Sequence, residues 1–233
     1  MRIIKSIIAF MLMTSMAYAD CMVGTGSIIE DKVYVPDVKS LVINVPMNIV
    51  LTPSQNESIL VKTNEDILKN LIFNYDDGEL VISARQDLCP NDLTIFISLK
   101  KINSIILNKN TKLTSTGTFK SEDFELEVNG SAEIDFAIEA EDIEIDLEGS
   151  GTINLKGKSE ELTISMDGSG SLDAGQLVSE EVYVDLNGNG VITVHPQSVL
   201  KASLNGNGKI LYKNKPKEIE LEKDGNGIIE QIK

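Results

Sequence analysis

Along the second half of the chain, apolar and charged residues alternate with a period of two. Phe124, Leu126 and Val128 fall in step with Glu125 and Glu127 between them; Ile134 and Phe136 resume the pattern around Glu133 and Asp135. A segment with one apolar and one charged face at this period predicts β-strands. Between the two runs stands a glycine corner, Val128-Asn129-Gly130-Ser131-Ala132. The corner returns at Leu147-Glu148-Gly149-Ser150-Gly151, Met166-Asp167-Gly168-Ser169-Gly170 and Leu186-Asn187-Gly188-Asn189-Gly190. It returns twice more, at Leu204-Asn205-Gly206-Asn207-Gly208 and Lys223-Asp224-Gly225-Asn226-Gly227. Its first glycines are Gly130, Gly149, Gly168, Gly188, Gly206 and Gly225, in steps of 19, 19, 20, 18 and 19 residues.

The apolar positions also agree from one unit to the next. Leu126, Ile145, Ile164, Val184, Ala202 and Leu221 form one column, and Ile134, Ile153, Leu172, Ile192, Ile210 and Ile229 another. A third, Val128, Leu147, Met166, Leu186 and Leu204, is broken by Lys223. A fixed period with in-register columns predicts that each unit is one coil and that coils stack at the ~4.8 Å strand spacing. An antiparallel barrel would alternate chain direction and lose the columns. The expected fold is therefore all-β, a right-handed parallel β-helix of about 19 residues per coil. The corner needs a tight turn, for which glycine takes positive φ freely and Asn or Asp at modest strain. The corner residues Gly151, Gly170, Gly190, Gly208 and Gly227 are read in the same way, and stacked Ser or Asn between them as a ladder along the corner. A degenerate earlier coil stands at Leu107-Asn108-Lys109-Asn110.

Residues 28–100 lack the glycine repeat but alternate like strands, with Asp76-Asp77-Gly78 as a hairpin turn. Asn64-Glu65-Asp66 reads as a helix N-cap opening one short helix. The expected organisation is a signal peptide over 1–19, an irregular N-terminal β cap or irregular first coils over 20–100, and the glycine-cornered helix over 101–233, one structural unit with the cap. Lys213, Lys215, Lys217 and the charged Glu220–Asp224 stretch are expected to blunt the far edge.

The signal peptide rests on Arg2 and Lys5, the apolar run from Ile7 to Met13, and the Ala17-Tyr18-Ala19 cleavage site. The run is too short to span a bilayer, and the mature chain holds no other candidate transmembrane segment. The expected location is exported: periplasm, outer surface or secreted, in a bacterium. Two cysteines are present. In an exported chain Cys21 and Cys89 can pair as a disulfide or stand as free thiols; a lipid on Cys21 would want a small residue before it, where Asp20 stands.

Composition narrows the chemistry further. The 233 residues hold 36 acids against 21 basic residues, a net charge of -15. Cleavage after Ala19 removes two basic residues and no acid, taking the charge to -17. This excludes nucleic acid as a partner. Arg occurs only at Arg2 and Arg85, so an Arg clamp for phosphate or carboxylate is excluded too. The single histidine, His195, next to Pro196, reads as a loop residue without a nucleophile or metal partner. The outward acids Glu125, Glu127, Asp146, Asp167, Asp173, Asp185 and Glu222 spread along a face instead of converging, so no catalytic, cofactor or metal residue is assigned. The Asp-Gly-Ser-Gly corners have neither calcium-roll nor EF-hand spacing. Tyr183 and Val191 point outward and are candidates for a contact patch.

The chain resembles the putative auto-transporter adhesin head GIN domain family over about residues 28–215. Three blocks carry the resemblance. The first is Val38-Lys39-Ser40-Leu41-Val42-Ile43-Asn44-Val45 leading to Asn64-Glu65-Asp66-Ile67-Leu68 and Asp77-Gly78-Glu79-Leu80-Val81-Ile82. The second is Leu93-Thr94-Ile95-Phe96-Ile97 running into Leu99-Lys100-Lys101-Ile102. The third is the repeated corner followed by a strand, clearest at Gly149-Ser150-Gly151-Thr152-Ile153-Asn154-Leu155. The resemblance implies an exported right-handed β-helix, adhesin-like by name, with no catalytic residues to carry over. The expected function is a non-catalytic adhesin-like or scaffold domain presenting its faces to a cell-surface polymer, glycan or protein. The alternative is a polysaccharide-active, pectinase-like β-helix enzyme.

Overall fold

The structure, a computed structural model, describes residues 21–35 and 37–233; the segment read as a signal peptide lies outside them. The described chain is nearly all β. The first part contains β1 (Ile28–Val33), β2 (Ser40–Ile43), β3 (Met47–Pro53), β4 (Ser58–Asn64), α1 (Glu65–Leu68), β5 (Leu71–Asp76), β6 (Glu79–Ala84) and β7 (Leu93–Leu99). Next come β8 (Ser104–Leu107), β9 (Thr111–Lys120), β10 (Asp123–Gly130), β11 (Ala132–Glu139) and β12 (Asp142–Gly149). The last are β13 (Thr152–Gly168), β14 (Ser171–Gly188), β15 (Val191–Gly206), β16 (Lys209–Tyr212), β17 (Glu218–Asp224) and β18 (Ile228–Gln231).

These strands form two parallel ladders, and each coil contributes one rung to both. The first ladder runs β6, β2, β8, β10, β12 and then the C-terminal segments of β13, β14 and β15, ending at β17. The second runs β7, β3, β9, β11, the N-terminal segments of β13, β14 and β15, then β16 and β18. The result is a parallel β-solenoid with coils of about 19 residues. Leu126 pairs with Ile145, Ile145 with Ile164 and Ile164 with Val184, so like side chains lie over like. All four are buried.

Stack order departs from chain order at the N-terminal end. The β2–β3 rung lies between β6–β7 and β8–β9. Beyond β6–β7 the pairing turns antiparallel: β5 lies on β6, and β4 on β7 with β1 outside it. The Asp76–Gly78 turn closes the β5–β6 hairpin with Asp77 and Gly78 both at positive φ, 43° and 86°. The helix is a single turn, and Asn64 does not cap it with its side chain. Asn64 Nδ2 donates instead to the Gly26 carbonyl (2.6 Å).

The 20-residue step between Gly168 and Gly188 is absorbed locally. Pairing jumps from Asn154↔Asp173 to Lys156↔Gln176, so the extra residue sits in a bulge and the columns recover by Glu161↔Glu181. The charged Glu220–Asp224 stretch, expected to blunt the far edge, belongs to β17, a full rung paired with β15. His195, expected in a loop, lies within β15 in register with Val178.

The core is one continuous file of inward side chains from both ladders. Phe136 stacks against Phe119 on the rung before (centroids 5.6 Å) and against Phe124 (5.2 Å), which belongs to the other ladder. These rings join the two ladders across the interior.

Candidate functional site

The corners come first, because they set how close the rungs approach. In the five corners that hold two glycines, from Gly149 and Gly151 onward, the two differ in backbone conformation. The first stands at positive φ, from 104° at Gly225 to 141° at Gly168. The second does not; Gly151, Gly170, Gly190, Gly208 and Gly227 are absent from the positive-φ positions, as are Asn189, Asn207 and Asn226. At the second glycine the demand is space. A Cβ on Gly208 would meet the Gly190 carbonyl oxygen at 2.7 Å, and one on Gly170 the Gly151 carbonyl oxygen at 2.9 Å. The expectation that both glycines serve the turn by positive φ is corrected accordingly.

Side chains also bond along the stack. Asn129 donates to Asn108 and Asn108 to Asn44, each at 2.8 Å, across consecutive rungs β10, β8 and β2. Asn207 donates to Asn189 at 3.3 Å, and the Ser131 and Ser150 hydroxyls meet at 3.1 Å. At the opposite bend, the buried Ser159 hydroxyl donates to Ser179 (2.7 Å). Cys21 and Cys89 are joined as a disulfide, Cα–Cα 5.5 Å, with Met22 bridged to Leu88 beside them. The bond ties the start of the described chain to the segment between β6 and β7.

The outward acids do not meet at one point. Glu125 stacks on Glu144 and Glu127 on Asp146 on the first ladder, while Asp173 lies on the second, where it accepts from Gly175 N (2.8 Å). Several acids carry Lys partners one rung away: Glu133 with Lys112, Asp135 with Lys156, Glu139 with Lys120. The Lys120 bond holds the Glu139 carboxyl below its ordinary range. Among the described residues, no group of three or more His, Cys, Asp or Glu side chains is arranged to hold a metal ion.

A shallow, open trough lies further along the first ladder. One outward column there reads Glu144, Thr163, Tyr183, Lys201, Glu220, and the next Asp146, Ser165, Asp185, Ser203, Glu222. Between them runs the trough, floored at Ile164, Val184 and Ala202. Tyr183 is held at two points. Its hydroxyl donates to Glu181 Oε2 (2.8 Å), and Lys201 Nζ stands 6.0 Å from its ring centroid. The Glu181 bond raises the phenol above its ordinary pKa, with burial adding to it. Lys201 also reaches Glu220 at 3.7 Å. Val191, expected with Tyr183 in one patch, lies on the second ladder instead. The trough itself was not foreseen, because it is made by residues about 19 apart; the signal available was the change from Glu to Thr and Tyr down one column.

Fold and surface together define a parallel β-solenoid with a filled interior and polar outward faces. The chain belongs to the family described as "Putative auto-transporter adhesin, head GIN domain", whose model matches residues 38–216. It is similar to the crystal structure of a putative adhesin from Bacteroides fragilis NCTC 9343, with a TM-score of 0.83 and 20% identity over 91% of this chain and 100% of that one. It is also similar to a putative lipid binding protein from Parabacteroides distasonis ATCC 8503 (TM-score 0.75, 19% identity, 92% and 100% covered). A putative adhesin from Parabacteroides merdae ATCC 43184 gives 0.72, 19%, 92% and 100%. At these identities the likeness establishes the fold. No curated protein matches the chain by sequence.

Proposed function

We propose that this chain is an exported, non-catalytic adhesin-like domain that binds through its outward sheet faces. The observation that carries this reading is the regularity of the two ladders. Outward side chains stand in straight columns, with Glu125 over Glu144 and Glu127 over Asp146, and among the described residues no rung breaks the pattern to bring several acids to one point. A hydrolase or lyase needs one irregular constellation where a few groups converge on a bond. The inward positions are filled by side chains such as Ile134, Phe136 and Ile153, each 0% exposed. That leaves the outside of the stack as the surface on which a ligand binds, and the lipid-binding description of one structural neighbour is not carried over. Family membership supports the adhesin-like character and, with the residues read as a signal peptide, export. Among the described residues no helix is long and apolar enough to cross a membrane.

The test is incubation of the purified domain with neutral and acidic polysaccharides, with and without calcium, reading new reducing ends. None is expected above a blank. Steady release from any substrate overturns the non-catalytic reading.

A further inference from the structure

We propose that the trough beside Tyr183 binds an uncharged, hydroxyl-rich sugar chain lying along the stack axis. This rests on the reading of the domain as a binding module and names its site and ligand class.

The trough crosses four rungs of the first ladder, from Thr163 to Glu220. At the strand spacing this is on the order of 14 Å, the length of a short oligosaccharide. Upstream, the same two columns carry Glu125, Glu144, Glu127 and Asp146. The wall then changes character: small Thr163 and Ser165 stand where glutamate and aspartate stood, and Tyr183 follows. Tyr183 is the one aromatic side chain in these outward columns among the described residues. The ring is half-buried and its hydroxyl is bonded to Glu181, which limits its rotamers, so little freedom is lost on contact.

The chemistry of the walls discriminates among ligand classes. Along β13, β14 and β15 a peptide strand has nothing to pair with, because the backbone of these three is already bonded within the parallel ladder on both sides. An anionic chain meets Asp185, Glu220 and Glu222, while Lys201, the cation present, is engaged by Glu220. A wholly apolar ligand would strip water from the Thr163, Ser165 and Ser203 hydroxyls without replacing it. A pyranose ring meets all of these conditions. Its C–H face packs on the tyrosine ring, and its hydroxyls donate to the Asp185 and Glu222 carboxylates, bonds stronger than those between neutral groups. The serine hydroxyls both donate and accept.

The experiment is an array of neutral and of uronate- or sulfate-bearing oligosaccharides probed with the wild-type domain, Tyr183→Ala and Asp185→Asn. Melting temperature and circular dichroism are taken for each variant. The expected result is binding to neutral oligosaccharides that persists at high salt. It is roughly tenfold weaker or more in Tyr183→Ala and clearly reduced in Asp185→Asn, with all three proteins equally folded. Because Tyr183 faces outward, its truncation leaves the core intact; should it lower the melting temperature, Ser203→Phe, which fills the trough, takes its place. Binding confined to acidic glycans, binding that survives both trough variants, or no binding to any neutral glycan overturns the proposal. These outcomes are separate from release of reducing ends, which overturns the non-catalytic reading instead.

Discussion

The space a Cβ would need on Gly149 is taken by the carbonyl oxygen of Gly130, one rung away. The same clash recurs at Gly168 over Gly149 and at Gly188 over Gly168. Corner glycines are thus read by their neighbours in the stack as well as by their own φ. Gly130 stands at the start of the column, with φ of 139° but nothing within 4 Å of its Cβ position.

The pair separates two costs. Gly149→Ala incurs both backbone strain and steric overlap, roughly 3 kcal/mol or more. Gly130→Ala incurs the strain alone, roughly 1–2 kcal/mol. Urea denaturation of both variants measures the difference, and equal losses would contradict the close stacking of corners.

Facing is tested within one strand. Ile145 is 0% exposed and Asp146, its neighbour, faces out between Glu127 and Ser165. Ile145→Asp places an unpaired charge among aliphatic side chains and abolishes folding or costs several kcal/mol. Asp146→Ser stays within about 0.5 kcal/mol of wild type. Comparable melting temperatures would refute the assignment of inside and outside.

The disulfide closes a loop with a sequence separation of 68. Removing it by Cys21→Ser with Cys89→Ser should lower stability by about 2–4 kcal/mol under oxidising conditions. The loss should match that of the wild type measured with reductant. Amide exchange should rise first at Met22 and at position 89, whose amides donate to the Asp87 and Met22 carbonyls (2.9 Å each).

Acid should loosen the N-terminal end. Asp66 Oδ2 accepts from the Thr25 amide (3.0 Å) and hydroxyl (2.9 Å), and Oδ1 from Ile67 N (2.9 Å). These bonds, the Thr25 amide foremost, hold the carboxyl below its ordinary pKa. A carboxyl lowered on folding stabilises the fold above its unfolded value and loses that contribution as pH falls through the folded one. The effect is complete above about pH 5 and fades below about pH 4. Protection of the Thr25 amide relative to its intrinsic exchange rate should fall over that range, and Asp66→Asn should flatten the dependence. An unchanged acid response in the variant would assign it to other carboxylates.

Much of the architecture was legible beforehand because the stack converts linear spacing into spatial neighbourhood. Val128, Leu147, Met166 and Leu186 are 19 or 20 apart and stand in one file. The hairpin at Asp77-Gly78 was equally plain, since both residues accept the φ that the turn requires. The short helix was placed correctly, with Asn64 at its N-cap position and Glu65 and Asp66 in its first turn, but the Asn64 side chain makes no capping bond. The Asn64 side chain had a competing acceptor at Gly26, 38 residues away, that local pattern does not reveal.

The alternation and the period are local quantities, and by themselves they determined that the chain stacks in parallel rungs, which residues face inward and where each corner falls. Only the tertiary structure decided the order of the first rungs. Strands β2 and β3 carry no corner repeat, so either neighbour satisfies their apolar faces, and β6–β7 and β8–β9 take one side each. It likewise decided the trough at Tyr183, whose walls exist because residues on separate coils are brought to the strand spacing, a relation that no single stretch of sequence contains.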